Sequence, residues 1–466
     1  MNWSWDSKKI YRVLTTVLLI GLLFHFVAVN ILEFKIGITG KAMTVLSLWK
    51  ELLIWVIWWY TIYKLSKNNY RSRIWKDKLF KRLIIGFIVL ILATVAISFL
   101  NKSIGNYLVA FRYDFFSLWL FLLFYIIGRI QTRDEEKATF DKKDIEHIGL
   151  QTPSSITKTY FNIIKVLLWF GLIWYSILMT VPGVFKLIWY DRTVFEGQIG
   201  ERPPAVYYSA LNHGLPRNQF IFERPIFYGF FLVGMWPIFY LLYIRRQKFE
   251  YTWLWRFLYG ANVISTFSRS AWGVWIVQTV ILLLLSHRKH FWKYIKKLVV
   301  PLILIVGVLW YYFYYELFGT GRQFSNTWHI NAFFKSLDIL KEHRLLGQGA
   351  GTNGPASHQL GMWFNSENQY LQIRIEYGII WFIIWLVYYG YLNISWWIKD
   401  GRGSISNYLT NKNIDNRDKQ RLILIWSNIW LIWLSLCGLV LHSLGDKMSI
   451  WPLMILYWLR LWTRQK

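Results

Sequence analysis

The sequence is short of cysteine and of acid. A single cysteine, Cys437, lies inside an apolar run of a 466-residue chain, which excludes an intrachain disulfide and leaves no redox couple to consider. Asp and Glu number 25 against 53 Lys and Arg, a net charge of +28. A basic balance of that size raises nucleic acid as a partner. Here the basic residues fall in short runs between apolar segments rather than on one domain, the pattern of loops facing anionic lipid, so no nucleic acid is expected. No small-residue cleavage site follows the first apolar stretch, Val13 to Leu32, which therefore reads as a membrane span and not as a cleaved signal peptide. Paired Gly/Pro-interrupted spans in the two halves, the mark of many transporters, are missing as well. Lys50-Glu51 in the second apolar run is the main ionic pair at membrane depth, read as a structural bridge or as lining a cavity.

What is abundant is apolar surface. Hydrophobic residues make up 55% of the chain and aromatics 20%, with 30 Trp. Soluble domains carry about 45–50% apolar residues, so this is an all-α polytopic membrane protein. Runs of about 20 apolar residues cross a hydrocarbon core of about 30 Å as helices. Twelve candidates follow: Tyr11–Leu32, Met43–Leu65, Leu83–Leu100, Phe115–Ile130, Ile163–Val181, Ile226–Ile244, Trp253–Thr266, Ala271–Leu285, Leu298–Leu317, Gly378–Trp397, Leu422–Leu441 and Ile450–Trp462.

Lys and Arg set the orientation. With the N-terminus inside, the inner segments are Lys8 to Arg12, Lys64 to Arg82, Arg129 to Lys165, Arg245 to Lys248, His287 to Lys297, Lys399 to Arg421 and Arg464 to Lys466, all basic. Both termini are then cytoplasmic and six loops face out. Within a single membrane domain, 1–466, two of these loops are long, 182–225 and 318–377. Loops of such length are usually functional or disordered, and these two, which hold Trp, Tyr, Phe and Gly, read as folded over the outer face. In the second, Trp328 to His343 places Phe333, Leu337 and Leu340 at the spacing of an amphipathic helix, either lying in the interface plane or packed on an extramembrane core.

Charge at the outer face marks the candidate chemistry. Arg269, in Ser268-Arg269-Ser270-Ala271-Trp272, has no acidic residue within a dozen positions and stands at the outer end of the seventh and eighth spans. Its planar fork of donors suits a phosphate or pyrophosphate, with snorkelling to the interface as the alternative. Arg322 sits in Gly319-Thr320-Gly321-Arg322, where glycine-flanked backbone and a guanidinium can meet one anion. Arg217 and Arg224 lie in the first long loop, and Arg224 has Glu223 as an alternative partner. Arg112 stands at the mouth of the fourth span, with Asp114 nearby. The stretch Gly347 to Gly378 follows Arg344 and carries a glycine-rich turn, His358, and Glu367-Asn368. Glu367 is a candidate general base and Asn368 a candidate substrate ligand, while Glu-Asn at the start of a helix also reads as a cap. A lone loop histidine such as His358 is more often a surface residue. No Asp-x-Asp pair and no His/Cys cluster of metal-ligand spacing occurs in the outer segments.

The order of these pieces resembles the bacterial O-antigen ligase and O-antigen polymerase superfamily. From Phe257 to Trp385 it runs span, Ser-Arg-Ser-Ala-Trp, two spans, Gly-Arg, amphipathic helix, Gly-x-Gly-x-Gly, polar loop, Glu-Asn-x-Tyr-Leu, Gly-Ile-Ile, span. The resemblance implies a GT-C-like architecture of about twelve helices with a large late extracytoplasmic loop, in the bacterial cytoplasmic (inner) membrane. It implies a glycan on undecaprenyl pyrophosphate as donor, a sugar hydroxyl as acceptor, and inverting transfer on the outer face with no metal or other cofactor. Arg269 matches the arginine assigned to the pyrophosphate, and Arg322 the one that helps to neutralise it.

Glu367 departs from the pattern, because ligases of this family have His before the Asn. A carboxylate can serve as the base instead. The departure favours a polymerase that passes a growing lipid-linked chain onto the next repeat unit over a ligase that attaches finished glycan to another acceptor. Arg112, Arg217, Arg224, Arg344, His358 and Asn368 complete the expected substrate contacts. Membrane lipid is a partner of the chain, and a chain-length regulator remains open.

Overall fold

The computed structural model describes residues 7–67, 78–116, 118–120, 122–127, 130, 155–181, 215–242, 249–286, 323–343, 345–362, 364–366 and 368–396. Among them every regular element is helical and no strand occurs. In chain order the helices are α1 (Ser7–Asn30), α2 (Gly40–Ser47), α3 (Trp49–Lys67), α4 (Lys78–Leu100), α5 (Ile104–Asp114), α6 (Leu118–Ile127), α7 (Ser155–Thr180), α8 (Pro225–Leu242), α9 (Phe249–Ser265), α10 (Arg269–Ser286), α11 (Gln323–Glu342), α12 (Gly354–Gln359) and α13 (Gln369–Trp396).

Five stretches among the described residues are long and apolar enough to cross a membrane: Val13–Glu33, Gly40–Ser66, Phe80–Leu100, Asn162–Thr180 and Gln369–Tyr388. A sixth candidate is the pair α5 and α6, bent by 62°. The expected spans Leu298–Leu317, Leu422–Leu441 and Ile450–Trp462 lie outside the described residues.

Three local departures from the expected spans have physical causes. Met43–Leu65 is interrupted at Leu48 (φ −79°, ψ −1°) between α2 and α3. The carbonyl of Ser47 that the interruption frees accepts from the Lys50 amine at 2.8 Å. Residues 104–114, expected as outer loop, form α5, because Tyr107, Ala110 and Asp114 recur at helical spacing and are buried on one face. The tenth span, expected from Gly378, is preceded by helical turns from Gln369, and a break at Gly378 (φ 79°, ψ 178°) divides the two parts of α13.

The chain divides into two compact units, Met1–Leu167 with Ile339–Lys466, and Leu168–Asp338. In the first, α13 packs along α4. The Tyr388 ring covers Gly86, where a Cβ would lie 2.6 Å from it, and the Tyr388 hydroxyl donates to the Leu83 carbonyl at 3.2 Å. Phe115 packs against Tyr377 and Trp381, with ring centres 5.6 and 6.0 Å apart. On the other faces Leu92, Phe99 and Val387 are exposed, as residues facing lipid tails should be. In the second unit α8 lies against α10 where Gly229 meets Ala271, and Trp236 is buried among Tyr240 and Tyr259.

Candidate active site

In each unit a turn or loop near an expected catalytic position, Arg269 in the second and Glu367 in the first, is held from behind by buried polar groups. In the second unit this is the turn Thr266-Phe267-Ser268 between α9 and α10, and Arg269 opens α10 directly after it. Helix ends leave carbonyls without partners, and a helix C-terminus favours positive charge. Arg217 meets both needs: its Nε donates to the Thr266 carbonyl at 3.1 Å and its Nη2 to the Phe267 carbonyl at 3.2 Å. Asn218 donates its N–H to the Ser265 carbonyl at 2.8 Å, and its amide nitrogen to the Ser265 hydroxyl and the Gly171 carbonyl. Asn262, also buried, donates to the Leu168 and Leu258 carbonyls and accepts from the Tyr228 hydroxyl. Phe267 takes a left-handed backbone (φ 48°) that costs a non-glycine residue about 1–3 kcal/mol.

In the first unit the segment Gly347 to Gly354 wraps around the break in α13. The break frees the carbonyls of Ile375 and Glu376, which accept from the N–H groups of Gln348 at 2.7 Å and Gly349 at 2.9 Å. The approach is close enough to demand glycine on both sides. A Cβ on Gly347 (φ 70°) would lie 2.6 Å from the Glu376 carbonyl, and one on Gly378 would lie 1.9 Å from the Leu345 carbonyl oxygen. The Asn101 amide donates to the Leu346 carbonyl and the Ser103 hydroxyl accepts from the Ala350 N–H, tying the loop to the end of α4. An open depression beside the loop is lined by Asn101, His343, Gly347, Gln348, Thr352 and Met362.

Beneath the loop lies a buried polar cluster. Asp114, at the end of α5, accepts from the Gln372 amide at 2.8 Å and the Tyr377 hydroxyl at 3.0 Å. Glu376 lies against Asp114 with no exposure, and its Oε1 accepts the Asn353 N–H at 3.1 Å. The Asn353 side-chain oxygen accepts from the N–H groups of Gly354 and Ser366 at 2.7 and 2.9 Å. A chain of contacts thus runs from Asp114 through Glu376 and Asn353 to Ser366, the residue before Glu367.

The remaining expected residues divide as follows. Arg322, Arg344 and Glu367 lie outside the described residues, as do the side chains of Arg269 and His358, although His358 is placed on α12. Asn368 is the N-cap of α13: its side-chain oxygen accepts from Tyr370 N–H at 2.9 Å and Leu371 N–H at 3.0 Å. Arg224 pairs with Glu223 at 3.6 Å and lies over Phe227. Arg112 pairs with Glu51 of α3, Nε at 3.0 Å and Nη2 at 2.6 Å, and not with Asp114. Residues two apart on a helix do not face one another, which leaves Asp114 to Gln372 and Tyr377. Lys50 lies 3.5 Å from Glu51 and also meets His25 at 2.8 Å, so the ionic pair seen in the sequence is part of a longer network from α1 to α5.

Sequence reasoning saw Asp114 only as a neighbour of Arg112 and passed over Asn353, Gln372 and Glu376. The available signal was scarcity: with only 25 acids in the chain, two beside apolar spans are conspicuous.

Residues 256–386 match a family model described as O-antigen ligase. The matched stretch contains Arg269, Arg322 and Glu367 and closely follows the Phe257 to Trp385 order read from the sequence. It supports the O-antigen ligase and polymerase superfamily as a whole. No curated protein matches the chain.

Proposed function

We propose that the protein is a glycosyltransferase of the bacterial cytoplasmic membrane that polymerises lipid-linked repeat units into a surface polysaccharide on the outer face. The observation that carries the reading is the match over residues 256–386, the stretch in which all three expected catalytic positions lie. Glutamate at 367, where ligases of the family have histidine, favours the polymerase branch. The acceptor is then the sugar hydroxyl of the next undecaprenyl-pyrophosphate-linked unit.

In the proposed step the acceptor oxygen forms a bond to the anomeric carbon of the donor while the bond from that carbon to the pyrophosphate oxygen breaks, inverting the centre. The proton of the acceptor hydroxyl passes to Glu367. The bonding pair leaves with undecaprenyl pyrophosphate. Arg269 and Arg322 neutralise the charge that develops there, a role that needs no protonation of the leaving group and no metal when the positive charges are preorganised. Arg344 and His358 supply further donors to the substrate. For Asn368 the capping bonds define a supporting role, holding the first turn of α13 next to Glu367.

Purified protein given a defined undecaprenyl-pyrophosphate oligosaccharide should yield a ladder of repeat units. Arg269→Ala should lower turnover about 100-fold or more while the protein remains folded. The ligase is the second reading, favoured by the description of the matched family model. Single-length product on a different acceptor, or full transfer by Glu367→His, would select it over the polymerase.

A further inference from the structure

We infer that Arg217 is a positioning residue for Arg269, acting through the backbone of the turn between α9 and α10 and not by contact with substrate. The inference rests on the reading of Arg269 given above. Its basis is that all four carbonyls preceding Arg269 are occupied, three of them by two adjacent residues about fifty positions away in the chain. Ser265 accepts from the N–H of Asn218, Thr266 and Phe267 accept from Nε and Nη2 of Arg217, and Ser268 accepts from the N–H of Trp272 in the first turn of α10.

Ser265, Thr266 and Ser268 are buried, so the carbonyls of this turn need partners, and for Ser265, Thr266 and Phe267 a distant segment supplies them. The left-handed Phe267 is an unfavourable conformation that persists only where its surroundings overdetermine it, and such conformations cluster at active sites and ligand clamps. The guanidinium suits the task because two donors in a rigid fork span two successive carbonyls, which the point charge of a lysine does not reproduce. Its charge also lies at the C-terminal end of α9, where a cation is favoured. With these bonds in place, the residue that starts α10 has one backbone position from which to present its side chain. Without them, Phe267 can relax and Arg269 starts the helix elsewhere. A displacement of about 1 Å at a group that stabilises a transition state can cost roughly 100-fold in rate.

The test is a double-mutant cycle on the full chain, using the lipid-linked oligosaccharide as substrate. Arg217→Ala should lower kcat roughly 10- to 100-fold and leave KM for the donor within about 3-fold. Arg217→Lys should recover part of the loss. In an Arg269→Ala background, Arg217→Ala should cost nothing further, because the residue through which it acts is gone. Losses that multiply in the double variant, or a loss confined to KM, would overturn the inference in favour of an independent structural or binding role. Should Arg217→Ala fail to fold, Arg217→Lys combined with Phe267→Gly serves instead: glycine takes the left-handed backbone without strain, so the double variant should recover kcat that Arg217→Lys alone loses, with the unfolding temperature maintained. A kcat no higher than that of Arg217→Lys alone would overturn the inference. Full turnover in Arg269→Ala overturns both this inference and the pyrophosphate reading, whereas an inactive Arg269→Ala beside a fully active Arg217→Ala overturns this inference alone.

Discussion

The turn before Arg269 and the segment around Glu367 solve the same problem with opposite chemistry. In one, unpaired carbonyls at a helix end are held by donors, a guanidinium and an amide. In the other, N–H groups of a loop are held by acceptors, the carbonyls at the break of α13, the Glu376 carboxylate and the Asn353 side chain. One tolerates a left-handed Phe under constraint, and the other uses glycine where the backbone must approach within van der Waals distance. The cationic candidate, Arg269, is therefore backed by cationic and neutral donors whose charge is absorbed by carbonyl dipoles. The segment that leads to the anionic candidate, Glu367, is tied instead to a buried carboxyl cluster that Gln372, Tyr377 and Asn353 engage with hydrogen bonds. The lesson is that the groups holding the backbone beside a charged candidate side chain need not carry the opposite charge.

Substitutions can break the comparison, beginning with the largest effect. Gly378→Val should abolish the fold of the first unit and leave the second with its own contacts: a Cβ meets the Leu345 carbonyl at 1.9 Å and the backbone is left-handed. Limited proteolysis of the two regions would show the asymmetry, and equal protection of both would refute it. Glu376→Ala comes next. It strands the Asn353 N–H in a buried site, at about 1–3 kcal/mol, and should lower the unfolding temperature. Glu376→Gln should be much milder, because the amide keeps an acceptor for Asn353 and gains a donor for Asp114. If both variants were equally destabilised, the contact chain from Asp114 to Ser366 would not be what holds the loop. The smallest effect belongs to Asn368→Ala, which removes a helix cap worth about 1 kcal/mol and should shift stability slightly while lowering turnover through Glu367. Unchanged turnover there would separate the cap from the chemistry.

Much of this was legible in the chain. The first three apolar runs, the fifth and the tenth are helices that reach membrane length, and the amphipathic spacing around Phe333 and Leu340 is helical in α11. Period and length suffice for such elements because a helix satisfies its own backbone wherever it is placed. The Glu223–Arg224 pairing was equally local and equally readable. What could not be read were the interruption at Leu48, the 62° bend between α5 and α6, and the break inside α13. The break in α13 frees carbonyls whose partners, the N–H groups of Gln348 and Gly349, sit in another segment, so the sequence around that break does not announce it.

The same division runs through the site. Composition and basic runs by themselves determined a helical membrane protein, and the order of short motifs by itself pointed to the superfamily that residues 256–386 match. Only the tertiary structure decided that Arg217 binds carbonyls next to Arg269, that Arg112 belongs to Glu51, and that Asp114 and Glu376 come together from positions 262 residues apart. The reason is physical. Hydropathy and charge act through each residue's own transfer from water, which sequence records directly, whereas a hydrogen bond between distant segments exists only once packing has brought its donor and acceptor within about 3 Å.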